Sequence, residues 1–272
     1  MLAFMAVSVT VLASGSKGNC TLVSSSSTRL LIDAGVSCRE VLRRLQLCGE
    51  DHCDIDAVLV THEHSDHIAG IRVLARKLKI PVYITAPTYQ AYQRSVRDAN
   101  GHRVVLDRRE HFSSGRSFTI GDIAVTPFTI PHDAVDPVGF TFRAEGIKVG
   151  ICTDLGYMPP SVRDHLRGCH LLMIESNHDL EQLRNGPYPW SVKQRVMSRV
   201  GHLSNDALAD FLTSDYDGEA EFLILAHLSE QNNHPEIARL TAERALGQQR
   251  SLFLQNRLML ATQDQPLSAV RL

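Results

Sequence analysis

Several features that would settle a function class outright are missing from this sequence. The formal net charge is only -2 over 272 residues, so no global basic field draws in a polyanion, and a nucleic acid would have to be gripped locally. The six cysteines, Cys20, Cys38, Cys48, Cys53, Cys152 and Cys169, include no CxxC pair and no cluster at structural-zinc spacing. They read as reduced thiols of a cytoplasmic protein, not as a disulfide framework. No apolar run is long enough to span a bilayer, so no membrane partner is expected. Met1 to Ala6 is apolar but has no positive region, and Val7, Val9 and Val11 then alternate with Ser8 and Thr10 at the period of a strand, which favours the cytoplasm over export. No low-complexity linker divides the chain. With 43% hydrophobic and 21% charged residues it can bury one full core, and a single domain over 1–272 is expected. Nothing in the sequence fixes an oligomeric state.

What is present is concentrated. Thr61-His62-Glu63-His64-Ser65-Asp66-His67 follows directly on the apolar run Ala57-Val58-Leu59-Val60. If the backbone is still extended at His62 and His64, alternation puts both rings on one side, where they can share an ion. Ile68, Ile71, Leu74, Ala75 and Leu78 recur at helical spacing, so Asp66 and His67 fall where the chain turns into a helix and address a second position nearby. Neutral imidazole and carboxylate suit Zn²⁺, Mn²⁺ or Fe²⁺, and two such ions can hold and activate a bridging hydroxide. A solvated loop with incidental histidines is the plainer reading, but chance rarely packs so many ligand types behind a buried strand.

Strands and helices interleave along the rest. Strands are expected at 7–13, 20–23, 28–32, 57–60 and 81–85, with helices at 39–47, 68–78 and 89–97. The middle of the chain turns β-rich, with strands at 123–130, 138–143, 148–153 and 171–175 and a tight turn at Glu145-Gly146. Ser204 suits the N-cap of a helix that buries Ala207, Leu208, Phe211 and Leu212, and a strand follows at 222–226. Pro235 suits the first turn of a last helix, and 252–260 adds an edge strand. The pattern is α/β, a sandwich of sheets covered by helices. His132, Asp154 and His227 are each the first ligand type beyond an apolar strand. Singly, each reads equally well as a strand-end residue bonded to a turn; three together, beside the histidine-rich loop, point to ligands.

The HxHxDH loop, the later histidine, the Thr-Asp and the strand-end histidine resemble the metallo-β-lactamase superfamily, from about Val7 to at least His234. That resemblance implies a four-layer αββα sandwich, α/β (α+β) in class, with a dinuclear metal site along the sheet edge. It implies that His62, His64 and His132 hold one divalent ion, that Asp66, His67 and His227 hold the other, and that Asp154 bridges them. Asp33 matches the superfamily's second-strand aspartate and would orient the metal loop without ligating. Thioesterase members share the ligands but usually continue the loop with two glycines after one residue, whereas here it runs Asp66-His67-Ile68-Ala69-Gly70. The ordered segments Glu175 to Asp179, Gly201 to Asn205 and Ala226 to His234 are similar to ribonuclease Z. With Ala13 to Cys20 at the front, the set looks like the small bacterial YycJ/WalJ-like exonuclease branch, which lacks the β-CASP domain.

Phosphodiester hydrolysis is what this resemblance implies, with a nucleic acid, DNA or RNA, as substrate. Asp66 would orient the attacking water and take its proton, and His202, polarised by Glu175, would protonate the leaving oxygen. The plainer reading has His202 preceding a helix cap and Glu175 ending a strand. Ser14, Ser16, Lys17 and Asn19 belong to a loop that forms either a phosphate-receiving backbone nest or a tight turn. His178, Asn232, Asn233 and His234 either reach the substrate or are plain loop residues. Lys193, Arg195 and Arg199 lie on an expected helix that lines a nucleic-acid groove or faces solvent, and Arg103, Arg108 and Arg109 read as solvated. A small-molecule metallohydrolase acting on a thioester, lactone or cyclic phosphodiester would use the same metals in a narrower pocket. A non-catalytic binding protein would have lost ligands, and none is missing.

Overall fold

A computed structural model describes residues 7–97, 101–248 and 257–272. One sheet contains β1 (Ser8–Ala13), β2 (Cys20–Ser24), β3 (Arg29–Ile32), β4 (Ala57–Leu59), β5 (Val82–Thr85) and β6 (Arg109–Phe112). The other contains β7 (Phe118–Ile120), β8 (Ile123–Thr129), β9 (Val138–Ala144), β10 (Ile147–Cys152), β11 (Leu171–Glu175), β12 (Phe222–Ala226) and β13 (Arg257–Leu260). A last short strand, β14 (Val270–Arg271), returns to the first sheet beside β1. Helices α1 (Cys38–Leu47), α2 (Ser65–Ile68), α3 (Ile71–Leu78) and α4 (Ala86–Ser95) accompany the first sheet. In the second half come α5 (Pro160–Leu166), α6 (Leu180–Asn185), α7 (Trp190–Val196), α8 (Asn205–Ser214) and α9 (Pro235–Gln248). Among the described residues no helix is long and apolar enough to cross a membrane.

Strand alternation generates the layers. Leu30 and Leu59 face inward with Phe140, Ile151, Met173 and Ile224 of the other sheet, while Leu31 and Val58 face outward against Val41, Leu45 and Leu74 of α1 and α3. Leu172, Leu223 and Leu225 likewise pack outward against Val162, Leu208 and Ala242 of α5, α8 and α9. The result is the αββα sandwich, and strands buried on both faces explain the near-continuous apolar runs of the sequence.

Strand direction places the site. β3, β4 and β5 pair in parallel, as do β10, β11 and β12. β8 is antiparallel to β9 and β9 to β10, so β8 runs the same way as β10. The carboxyl ends of β3 and β4 meet those of β8, β10 and β12 at one end of the sandwich, because the residues after them cluster, His62 and His64 with His132 and Asp66 and His67 with Asp154 and His227.

The caps and turns expected at Ser204, Pro235 and Glu145-Gly146 are present, with Ser204 Oγ accepting from the Ala207 amide at 3.1 Å and positive φ at both turn residues. The helix expected over 68–78 is broken instead into α2 and α3. Gly70 sits at the break, donating to the Ala34 carbonyl at 2.7 Å, and a Cβ there would stand 2.1 Å from the Val36 carbonyl oxygen. The helix expected over 89–97 begins earlier, at Ala86, because Thr85 caps it through the Thr88 amide. Arg199 lies beyond α7, which ends at Val196, so it does not share a helix face with Arg195. Of the strand expected over 252–260, Arg257–Leu260 is present and 252–256 lies outside the described residues.

Candidate metal centre

Three residues at this end of the sandwich hold left-handed backbone: Asp33 (φ 59°), Asp154 (φ 62°) and His227 (φ 55°). The conformation costs a non-glycine residue roughly 1–2 kcal/mol. It stops β3, β10 and β12 sharply where their side chains are needed, and such strain gathers at functional sites.

Four histidines have Nδ1 held by a fixed partner, which turns Nε2 toward the cluster. His67 Nδ1 is 2.8 Å from Asp33 Oδ2, which also accepts from Thr61 Oγ1. His132 Nδ1 is 3.0 Å from the Gly201 carbonyl oxygen, His227 Nδ1 is 2.9 Å from Glu175 Oε1, and His62 Nδ1 is 3.0 Å from Thr61 Oγ1. With Nδ1 anchored in each, Nε2 is the ring atom left to coordinate, the arrangement in which imidazoles bind metals. His62 Nε2 and Asp154 Oδ2 are buried without any hydrogen-bond partner.

These atoms form two sets. His62, His64 and His132 bring one ligand atom each within 4.8 Å of one another, and Asp66, His67, Asp154 and His227 do the same. His64 Nδ1 and His132 Nε2 are 3.2 Å apart, and Asp66 Oδ2 lies 3.4 Å from both His67 Nε2 and His227 Nε2.

Charge completes the argument. Asp33, Asp154 and Glu175 are buried and Asp66 is half-buried, yet among the described residues no lysine or arginine is ion-paired to any of them. Burial opposes a charge on His227, but Asp154, Asp66 and Glu175 overcome it and lift the imidazole to about 10. His67 rises well above its usual value against the same opposition. Burial, reinforced by the neighbouring His67, pushes His62 well below its own, which keeps it neutral. A pocket with this excess of buried negative charge and unpartnered nitrogen and oxygen donors fits divalent cations.

Beside the two sets stands His202. Its Nδ1 is 2.8 Å from Glu175 Oε1, the same oxygen that accepts from His227, while Glu175 Oε2 accepts from the Leu155 and Leu203 amides at 2.9 and 3.0 Å. Glu175 is fully occupied in orienting two histidines and is not free to ligate. Burial works against a charge on His202, but Glu175 and then Asp154 raise it above its ordinary value, favouring the acid form. His202 lines an open cleft together with His64, Asp66, Asp154 and His227.

The front loop closes as a tight turn through the Gly18 amide and the Gly15 carbonyl. Gly15 N donates to Asn19 Oδ1, Lys17 N to Gln263 Oε1, Gly18 N to the Gly15 carbonyl and Asn19 N to the Asp66 carbonyl, so these amides are spent. Ser14 Oγ accepts from the His227 amide at 2.8 Å and Asn19 Nδ2 reaches Asp66 Oδ2 at 3.3 Å, so both brace candidate ligands from behind. Lys17 pairs with Glu230 at 2.6 Å, and Ser16 lines the cleft. His178 is buried, its Nδ1 3.3 Å from Asn177 Oδ1 and its Nε2 without a hydrogen-bond partner, and Asn233 Nδ2 donates to the Ser176 and Asn177 carbonyls. His234 is exposed and accepts from the Glu236 amide at the start of α9. Asn232 lines the cleft. Arg108 and Arg109 are not simply solvated: one donates to the Lys79 carbonyl, and the other lies 4.8 Å over the Tyr89 ring.

Other contributors escaped the sequence reading. Asn177 Nδ2 donates to the His227 carbonyl at 2.9 Å. Asp133 sets Oδ1, buried and without a hydrogen-bond partner, 3.5 Å from His132 Nε2 while its other oxygen holds Arg195. Its place directly after His132 was the available signal.

A profile of the beta-lactamase superfamily domain matches residues 28–227. The chain is 39% identical over 246 residues to exodeoxyribonuclease YycJ of Bacillus anthracis, covering 89% of this chain and 90% of that one. It is 37% identical over 238 residues to exodeoxyribonuclease WalJ of Streptococcus pneumoniae strain D39, covering 88% and 87%. Among solved structures, the metallo-beta-lactamase fold protein YhfI of Bacillus subtilis aligns with a TM-score of 0.68 at 19% identity, over 96% of this chain and 99% of that one, a likeness of fold.

Proposed function

The chain belongs to the beta-lactamase superfamily, and we propose that it is a divalent-metal-dependent exonuclease that hydrolyses the phosphodiester bonds of DNA. The observation that carries the reading is His202, pinned by buried Glu175 and lining the same cleft as both ligand sets. A thiolate leaves a thioester unaided, whereas the alkoxide leaving from a phosphodiester needs a proton, and His202 is placed to give it. The names of the two relatives favour DNA.

Two Zn²⁺, Mn²⁺ or Fe²⁺ ions, held by His62, His64 and His132 and by Asp66, His67 and His227 with Asp154 between, would activate water and neutralise charge growing on the phosphoryl oxygens. Asp66 orients the attacking water and accepts its proton. As the water oxygen bonds to phosphorus and the bond to the leaving oxygen breaks, His202 Nε2 protonates that oxygen. The six free cysteines suit the cytoplasm, where we place the enzyme.

Degradation of end-labelled single- and double-stranded DNA and RNA with Mn²⁺ or Zn²⁺, beside Asp66→Ala, tests the reading. Processive shortening of DNA by the wild type alone supports it. Inert protein that nonetheless binds two metals sinks it and favours a small-molecule hydrolase.

A further inference from the structure

The cleft has two unlike sides. One carries the candidate metal ligands and His202; the apolar lining comes entirely from another segment, as Tyr188, Val192 and Val196. Val192, Arg195 and Val196 recur at i, i+3 and i+4, so one face of α7 looks into the cleft, and Tyr188 extends that face ahead of the helix. From Gln182 to Asn205 the sequence has no Asp or Glu but has Arg184, Lys193, Arg195 and Arg199, in a chain whose net charge is -2. Of these cations Arg195 lines the cleft, while Lys193 Nζ donates to the Arg184 carbonyl and Arg199 lies over the Tyr157 ring.

A second observation comes from Asn232, which lines the same cleft and is 1% exposed. Its Nδ2 is 3.3 Å from Ser229 Oγ, which fixes the amide plane, while Oδ1 is buried with no hydrogen-bond partner. Gly186 packs directly against that oxygen, where a Cβ would stand only 2.4 Å away. Leaving a buried carbonyl unpaired costs free energy unless a ligand satisfies it.

A flat apolar wall with an aromatic ring, a cation and a lone amide acceptor match one chemical group: a nucleobase with its attached phosphate. We propose that Tyr188, Val192 and Val196 form a stacking subsite for the terminal nucleobase of a DNA strand. Asn232 Oδ1 accepts from an exocyclic amine of that base, and Arg195 takes the adjacent phosphate. Arg195 spends Nε on Asp133, and the other guanidinium donors remain for the phosphate.

The subsite rests on the nuclease reading, and a cycle between protein and substrate tests it. Metal-loaded wild type, Tyr188→Ala and Tyr188→Phe are compared on a single-stranded oligonucleotide and on the same strand with an abasic terminal residue. Loss of stacking on one base predicts that Tyr188→Ala lowers kcat/KM on the intact strand roughly tenfold, mainly through KM. The abasic strand shows the wild type an equal loss, Tyr188→Ala adds no further loss on it, and Tyr188→Phe behaves as wild type, all with unchanged metal content. Equal slowing of intact and abasic strands by Tyr188→Ala, or no slowing of either, overturns the subsite while leaving the nuclease intact. Wild type carrying two metals that shortens no strand at all removes the nuclease reading and the subsite with it.

Discussion

Glu175 Oε1 accepts from His227 and His202 at once, so one buried oxygen serves both a candidate metal ligand and the proposed proton donor. Removing the donor and removing the shared carboxylate should therefore have different signatures. His202→Ala is expected to lower kcat about 10²- to 10⁴-fold with metal content retained. Glu175→Gln should lower turnover and also weaken metal binding, by roughly 10- to 100-fold, because His227 loses the partner that orients it. Metal analysis beside steady-state kinetics separates the two; full loss of metal from His202→Ala would mean that His202 is itself a ligand. The candidate ligands were readable in the sequence because four of them crowd one loop behind an apolar strand and His132, Asp154 and His227 are each the first ligand type past another. The sharing was not. It depends on the parallel register that sets Glu175 opposite Ala226, bringing residue 227 beside a side chain distant in sequence.

At the scale of elements, the loop after β3 is pressed against the metal loop. A Cβ on Gly35 would stand 1.6 Å from the Asp66 carbonyl oxygen, and backbone cannot yield as a side-chain tip can. Gly35→Ala is expected to cost about 3 kcal/mol and to displace Asp66, lowering metal stoichiometry; urea unfolding and metal titration measure both. The same close packing explains why the break between α2 and α3 was illegible: Ile68, Ile71 and Leu74 keep helical spacing through Gly70, and only the approach of Val36 forces the interruption. On the outer side, α1 holds the chain through Arg44, whose Nη1 donates to the Leu12 and Gln263 carbonyls while Glu40 pairs with its Nε. Hydrogen bonds from Arg43 and then Arg44 pull the Glu40 carboxyl down to about 2. A carboxylate depressed in the folded state stabilises fully above its ordinary value near 4.5 and loses that contribution as pH falls toward 2. Glu40→Gln should thus cost about 1 kcal/mol at neutral pH, a gap to wild type that closes below pH 4, as read by denaturant midpoints across pH.

The molecule as a whole is two sheets that share an apolar interior but meet at one end in carboxylates that, among the described residues, only histidines pair. Each ligand set draws on both halves: His62 and His64 face His132, and Asp66 and His67 face Asp154 and His227. Bound cations would therefore act as staples between the sheets as well as reagents. The layering was legible from motif resemblance and alternating strands, whereas the closing strand β14, two residues long and without a readable period, was not. A ligand that binds only the folded state stabilises by about 2.7 kcal/mol at a hundredfold excess over its Kd. For a chain of this size that corresponds to a Tm shift of roughly 5–10 °C. Chelation should lower Tm by that amount, and amide exchange should quicken at the strand ends around Asp33, Asp154 and His227 before it does in the inter-sheet core around Leu30 and Phe140. If chelation left both Tm and exchange unchanged, the buried carboxylates would have to be neutral or paired by protons alone, and the cluster would not be a metal centre.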